Sequence, residues 1–197
     1  MATQRDIDIL YEIGSLRNVP RGWRQHLGMD CASNLEHMIR VAWLALIIAR
    51  MEGIKSEEKI LKMALVHDIA EARVSDLSYV QKVYVTADED RAAKDMFTGT
   101  MLEDIYSDVL KEYEQRASIE SQIVKDADNL DIDLELKEFE EMGSGVPHKW
   151  AENRRLIRDK KLYTESAKKI WDLIQESDVS NWHMKTNKFK LIPSAGK

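Results

Sequence analysis

The chain has 197 residues, 44% of them hydrophobic and 32% charged, with a formal net charge of -6. That composition excludes a disordered or collagen-like chain, and the length suffices for one core burying about 70% of the surface an unfolded chain exposes. The single cysteine, Cys31, excludes an intramolecular disulfide framework and a cysteine-rich zinc module, and the acidic balance disfavours binding to a nucleic-acid backbone. The longest apolar run, Val41 to Ala49, is far shorter than the roughly 20 residues that span a bilayer. With an acidic, polar start at Met1 to Asp6, the expectation is a soluble cytoplasmic chain with neither membrane nor nucleic acid among its partners.

Helical periodicity dominates. Ser33-Asn34-Leu35-Glu36 has the form of a capping box and predicts a helix running to about Met51 and stopping at Gly53. Ser56-Glu57-Glu58 opens a second helix carrying Ile60, Leu61, Ala64, Leu65 and Ile69. From Val74 to Val85 the pattern lapses into a loop with a short turn of helix. Thr86-Ala87-Asp88-Glu89 repeats the box form and predicts one long polar helix to about Glu114. Ser118 starts a helix reaching Met142, closed by Gly143-Ser144-Gly145, and two more follow at about Pro147 to Arg158 and Thr164 to Glu176. The tail after Asp178 is short and mixed. Strand alternation and internal repeats are absent, so the expectation is one all-α domain over 1–197, a helical bundle with its core at about 10–140 and a helical extension at about 147–180.

Ionisable groups interrupt three apolar faces. His37 shares a stripe with Val41, Leu44 and Ile48. His67 and Asp68 sit side by side on lines otherwise made of Ile60, Ala64, Leu61 and Leu65, and Asp128 lies in line with Val124, Ile132, Glu135 and Phe139, with Asp131 beside it. Burying an unpaired carboxylate costs several kcal/mol, so two such groups require a cation or hydrogen-bond donors. Imidazoles and carboxylates together form a mixed nitrogen and oxygen ligand set suited to first-row divalent ions. Taken singly, His37 reads as a core histidine and Asp128 as part of a solvated acidic face; the combination points to metal.

His37, then His67-Asp68, then Asp128 resembles the H…HD…D pattern of HD-domain metal-dependent phosphohydrolases. The likeness extends outward from those positions. Leu16-Arg17-Asn18-Val19-Pro20-Arg21-Gly22-Trp23 resembles the leader of the small HD nucleotidases related to bacterial 5'-deoxynucleotidase, Ser33 to His37 their E-x-V-A/S-E-H segment, His67 to Glu71 with Asp76 their H-D-x-x-E…G-D-L/I stretch, and Lys125 to Leu130 their K-x-A-D-x-L segment. Three positions depart: the leader lacks one residue of P-R-T-G-W, Asn34 stands where Glu is frequent, and Ser75 replaces the usual Gly.

The resemblance implies an HD-domain bundle with one divalent ion (Mn, Co, Mg, Zn or Fe) in its core on His37, His67, Asp68 and Asp128. It implies that Glu71 orients the nucleophilic water or manages a proton, and that Asp76 contacts the sugar or assists proton transfer. Arg21 is the candidate phosphate clamp, because a guanidinium engages phosphate through paired hydrogen bonds, and Trp23 is the candidate wall for sugar and base. Arg24, His26 and Lys125 are lesser candidates; Trp43, Trp150, Trp171 and Trp182 read as packing residues. No histidine lies between Asp68 and Asp128, which favours one ion over two. The implied substrate is a small phosphorylated one, a deoxynucleoside 5'-monophosphate, hydrolysed to deoxynucleoside and phosphate. Hydrolysis of nucleoside triphosphates or alarmone-type nucleotides, and a nucleotide-sensing module without turnover, are the alternatives. The same likeness implies a homodimer, with the 86–114 segment as its contact.

Overall fold

A computed structural model describes residues 1–186; the end of the expected mixed tail, from residue 187, lies outside the described residues. The helices are α1 (Gln4–Ser15), α2 (Arg24–Leu27), α3 (Asn34–Met51), α4 (Glu57–Val66), α5 (Glu71–Val74), α6 (Gln81–Tyr84), α7 (Glu89–Phe97), α8 (Lys111–Gln115), α9 (Ile119–Glu141), α10 (Val146–Lys160), α11 (Glu165–Glu176) and α12 (Asn181–Lys185). Among the described residues the one strand-like feature is an isolated bridge between Pro20 and Ser33. The fold is all-α, as expected. No helix among the described residues is long and apolar enough to cross a membrane.

α3 and α9 are the spine. They pack along each other, and α4 lies against both. Val41, Ala45, Ile48 and Ala49 of α3 meet Ile60, Met63 and Ala64 of α4 and Ile123, Val124, Ala127 and Leu130 of α9 in one continuous core. The Ser33 capping box forms as expected: the Ser33 amide donates to Glu36 Oε2 at 2.6 Å and Ser33 Oγ accepts from the Glu36 amide at 3.3 Å. α10 and α11 close the other side of α9. Arg154 of α10 grips Asp133 through Nε (2.9 Å) and Nη2 (2.6 Å) inside the packed layer. Asp126 accepts from the Tyr163 and Thr164 amides, seating the start of α11.

Several elements differ from expectation: α2 and α12 were not anticipated, and the second helix, expected to carry Ile69, stops at Val66 as α4 because the chain turns there into the His67-Asp68 pair. α1 was not anticipated, because Ile7, Leu10 and Tyr11 are exposed alongside buried Ile9, which blurs its apolar stripe. The expected long helix from Thr86 to Glu114 is broken into three pieces. Its cap is Asp88, which accepts from the Arg91 amide, and α7 ends at Phe97. Gly99 takes φ of 75° there, and the Thr98 and Thr100 hydroxyls donate to the Lys94 and Phe97 carbonyls (2.7 Å each). From the α1 segment, Arg5 donates to the Asp95 and Met96 carbonyls and Asp6 accepts from the Met101 amide. The chain resumes as a wide π-helical turn at Ile105–Leu110 and then α8. The polar composition suits a helix, but these cross-links hold the break.

Ser75 also stands out. It ends α5 with φ 64° and ψ 159°, a region only glycine occupies without strain. Ser75→Gly is therefore expected to stabilise the chain by about 1 kcal/mol, the relieved strain exceeding the chain entropy that glycine adds to the unfolded state. Urea unfolding of the two proteins checks this; equal or lower stability for the glycine variant would contradict it.

Candidate metal centre

The cap at Ser33 sets Asn34 and His37 on the first turn of α3, facing inward, both wholly buried. α4 ends at Val66 with His67 as its cap, and tight turns carry Asp68 past the helix end into α5, which begins at Glu71. Mid-way along α9, Lys125, Asp128 and Asp131 follow one another by single turns on one side. Those three elements converge. His37, His67, Asp68 and Asp128 each present a ligand atom, all within 4.8 Å of one another.

The spacing matches what a cation requires. His37 Nε2 lies 3.3 Å from His67 Nε2, 3.4 Å from Asp68 Oδ2 and 3.3 Å from Asp128 Oδ1, and His67 Nε2 lies 3.3 Å from Asp68 Oδ2. Ligand atoms bound about 2.1 Å from one ion in tetrahedral to octahedral geometry stand about 3.0–3.4 Å apart. Proton placement agrees. His67 Nδ1 faces the Ala64 carbonyl at 2.9 Å, so it must donate, and His37 Nδ1 donates to Asp131 Oδ2 at 2.7 Å. Neutral imidazoles held this way turn bare Nε2 lone pairs toward each other and toward two carboxylates. Four acceptors with no proton between them repel unless a cation sits at their centre. The donor set therefore fits a divalent ion.

Charge around the cluster tells the same story. Burial alone would lower the His37 pKa, but Asp128, Asp131 and Asp68 raise it well above the ordinary value, so without metal a proton is drawn in. Burial would raise Asp68 and Asp128; the two histidines, and for Asp128 first Lys125 (2.6 Å), hold them well below the usual carboxylate range. Asp131 is likewise kept ionised against burial by His37 and Arg40, which both donate to it. Glu71 goes the other way. Burial, then Asp68 and Asp76, push it up to about 9, only partly offset by the amide of Asn34 donating to its Oε2.

A cleft of about 250 Å³ opens from the cluster. Arg21 is buried at its inner end, with Nη1 3.5 Å from Asp68 Oδ2, 3.3 Å from Asp76 Oδ2 and 3.2 Å from Asn34 Oδ1. The Gly22 amide donates to Asp76 Oδ2 at 2.9 Å, and a Cβ at Gly22 would meet the Asp76 carbonyl at 2.6 Å. The leader thus lies flat on the Asp76 loop because residue 22 has no side chain. Trp23 and Trp150 form a wall with ring centroids 6.1 Å apart, and the Arg21 guanidinium lies 5.7 Å from the Trp23 ring centre.

Every residue expected at the site lines it or the cluster. Lys125, a lesser candidate, pairs directly with Asp128, and His26 lies at the cleft rim, whereas Arg24 points to Asp30 (3.1 Å) on the surface. Three of the packing assignments need correction. Trp150 lines the cleft, and Trp43 and Trp182 are exposed, Trp43 because it points away from the core on α3. Trp171 packs against the core as expected. Asn34 and Arg40 were not assigned to the site; both stand one turn from His37 on α3, and Asn34 was also marked as a departure from the resembled segment.

The fold and this cluster define the class. An HD-domain family model matches residues 13–171, and the chain belongs to that family. It is 33% identical to 5'-deoxynucleotidase HDDC2 of Danio rerio over 137 residues, 66% of this chain and 67% of that protein. To the Homo sapiens protein of the same name it is 29% identical over 142 residues, 69% of each. A solved Pyrococcus horikoshii structure superposes with a TM-score of 0.70 at 26% identity, covering 86% of this chain and 98% of that one. A predicted metal-dependent phosphohydrolase of Magnetospirillum magnetotacticum superposes at 0.65, with 20% identity and 88% and 90% coverage, which bears on the fold alone.

Asp131 orients His37 from behind the cluster. Asp131→Asn is expected to weaken divalent-ion affinity by about 10–100-fold while the ligand set stays complete. Titration with Mn or Co checks this; unchanged affinity would place Asp131 in a purely structural role.

Proposed function

We propose that the chain is a metal-dependent 5'-deoxynucleotidase, using one divalent ion at His37, His67, Asp68 and Asp128 to hydrolyse deoxynucleoside 5'-monophosphates. The observation that carries this reading is the placement of a buried arginine between the cluster and a tryptophan-walled cleft, with Arg21 3.5 Å from Asp68 and 5.7 Å from the Trp23 ring centre. The names of the relatives point the same way. Bound there, the ion would acidify water and offset charge on the phosphoryl group.

The side chains supply the rest. Arg21 and Lys125 hold the phosphate oxygens, which counters the acidity of the surroundings. Arg21 itself is fixed in place by Asp76 and Asn34, so its fork is aimed before substrate arrives. Burial and its acidic neighbours push Glu71 up to about 9 before an ion binds, so it enters the cycle with a proton to give. It gives that proton to the sugar oxygen that leaves phosphorus and takes one from the water whose oxygen joins phosphorus, so the products are deoxynucleoside and phosphate and the carboxyl ends as it began. Asp76, held by the Gly22 amide and Arg21, sets the position of Arg21 and faces the sugar. Trp23 and Trp150 exclude water from one side of the cleft and offer aromatic faces to sugar and base.

Phosphate release from a panel of mono-, di- and triphosphates with Mn, Co and Mg tests the proposal. Monophosphate hydrolysis supports it; turnover confined to triphosphates, or nucleotide binding without turnover, would replace it. Glu71→Gln is expected to keep its metal and lose about 10² to 10⁴ in single-turnover rate. A loss of only a few-fold would reassign Glu71 to structure. Arg21→Lys retains the charge and loses the fork, so KM rises if the contact is equal in ground and transition states, and kcat falls if it strengthens during transfer. Unchanged kinetics for Arg21→Lys and Arg21→Ala alike would remove Arg21 from the phosphate site.

A further inference from the structure

α9 carries a buried carboxyl that the proposed chemistry does not use. Asp128, Asp131 and Glu135 follow one another by single turns, so Glu135 stands about 10 Å beyond Asp128 on the same line of the helix. It is only 2% exposed. Among the described residues its one hydrogen bond comes from the Ala32 amide, which donates to Oε1 at 2.7 Å, while Oε2 has no donor. Val124 and Phe139 on the same line are apolar, and burying a carboxyl for one backbone bond is costly. What Glu135 supplies is that bond.

The bond holds the segment that carries Arg21. The Ala32 peptide is gripped on both sides, its amide by Glu135 and its carbonyl by the Arg21 amide, which donates at 3.2 Å. Beside it Pro20 and Ser33 form the isolated bridge, and the Asn34 amide donates to the Val19 carbonyl at 2.8 Å. Residues 19–21 therefore run along 32–34 as a short ribbon, and Glu135 ties that ribbon to α9. Asn34 and Asp76 fix the tip of the Arg21 side chain; the ribbon fixes its backbone.

We propose that Glu135 is a positioning residue, setting through Ala32 the separation between the Arg21 guanidinium and the metal cluster. One rigid helix carries both Asp128 and Glu135, so the cation's ligand and the arginine's anchor move together. This role rests on Arg21 holding the phosphate.

Glu135→Met keeps the volume and removes the acceptor, whereas Glu135→Gln keeps an oxygen for the Ala32 amide. With a deoxynucleoside 5'-monophosphate and Mn, Glu135→Met is expected to lower kcat/KM by at least about tenfold, since misplacement by about 1 Å can cost about 10²-fold. Glu135→Gln should stay within a few-fold of the parent chain, and Mn affinity should hold in both. On an Arg21→Ala background Glu135→Met should add almost nothing, because the two losses are the same loss. A packing role alone would instead multiply with the Arg21→Ala loss. Glu135→Ala repeats the comparison if the methionine variant does not unfold cooperatively.

Two readouts need no turnover and so separate the tie from the catalytic reading. In the parent chain the Ala32 amide should exchange slowly with deuterium. Alkylation of Cys31, the single cysteine and the neighbour of Ala32, should be faster in Glu135→Met than in Glu135→Gln. Burial, then the Glu135 charge, push the Cys31 thiol up to about 11. Both variants lack that charge, so the difference between them reads the tie. Parental kcat/KM or lost Mn affinity in Glu135→Met, an equal loss in Glu135→Gln, an undiminished effect beside Arg21→Ala, or free exchange at Ala32 would each overturn the proposal. A parent chain that releases no phosphate, yet shows the slow amide and the labelling difference, would overturn the substrate reading and uphold the tie.

Discussion

Four nitrogen and oxygen ligand atoms meet within 4.8 Å of one another inside this protein, and the surrounding structure is arranged around that fact. His67 Nδ1 is committed to the Ala64 carbonyl and His37 Nδ1 to Asp131, so both rings turn Nε2 inward against Asp68 and Asp128. A buried site of this kind is stable only with positive charge at its centre. Without metal, protons must supply it, which is why the carboxylates around His37 raise its pKa so far. A divalent ion and protons compete for the same place.

The neighbouring cations respond to the same excess of negative charge. Lys125 reaches Asp128, Arg21 lies between Asp68 and Asp76, and Arg40 backs Asp131. Two of these, Arg21 and Lys125, border the cleft, so groups that stabilise the empty protein can also meet an incoming phosphate. Glu71 is the exception to ionisation. Burial and its acidic neighbours Asp68 and Asp76 push it up to about 9, against the opposing pull of the amide donor from Asn34. One electrostatic constraint thus holds Asp68 and Asp128 well below the usual carboxylate range and Glu71 well above it.

Much of this was legible in the sequence because helical phase carries it. His37 on α3 and Asp128 on α9 each interrupt an apolar stripe, and an interruption in phase with the core is a buried group. His67-Asp68 was read in phase with a second helix expected to carry Ile69, whereas α4 stops at Val66, just before the pair. What escaped depends on contacts between distant segments. Trp150 looked like any packing residue, because nothing local says that α10 brings it to Trp23. The 86–114 segment has the composition of a helix throughout, and its interruption depends on Arg5 and Asp6 reaching across from the α1 segment. Trp43 is the reverse case: its phase on α3, opposite the core, already marked it as exposed, and its size invited a packing assignment. Ser75 holds a backbone conformation that glycine adopts without strain, which nothing in its own side chain announces.

The central claim is that one cation completes the His37, His67, Asp68 and Asp128 cluster. The direct measurement is the metal content of the purified chain, before and after chelation, read together with its thermal unfolding. The account predicts one divalent ion per chain, located at the four residues by anomalous scattering, and a lower unfolding temperature once it is removed. A chain that carries no ion, takes none up from Mn, Co or Zn, and unfolds at the same temperature throughout would contradict it.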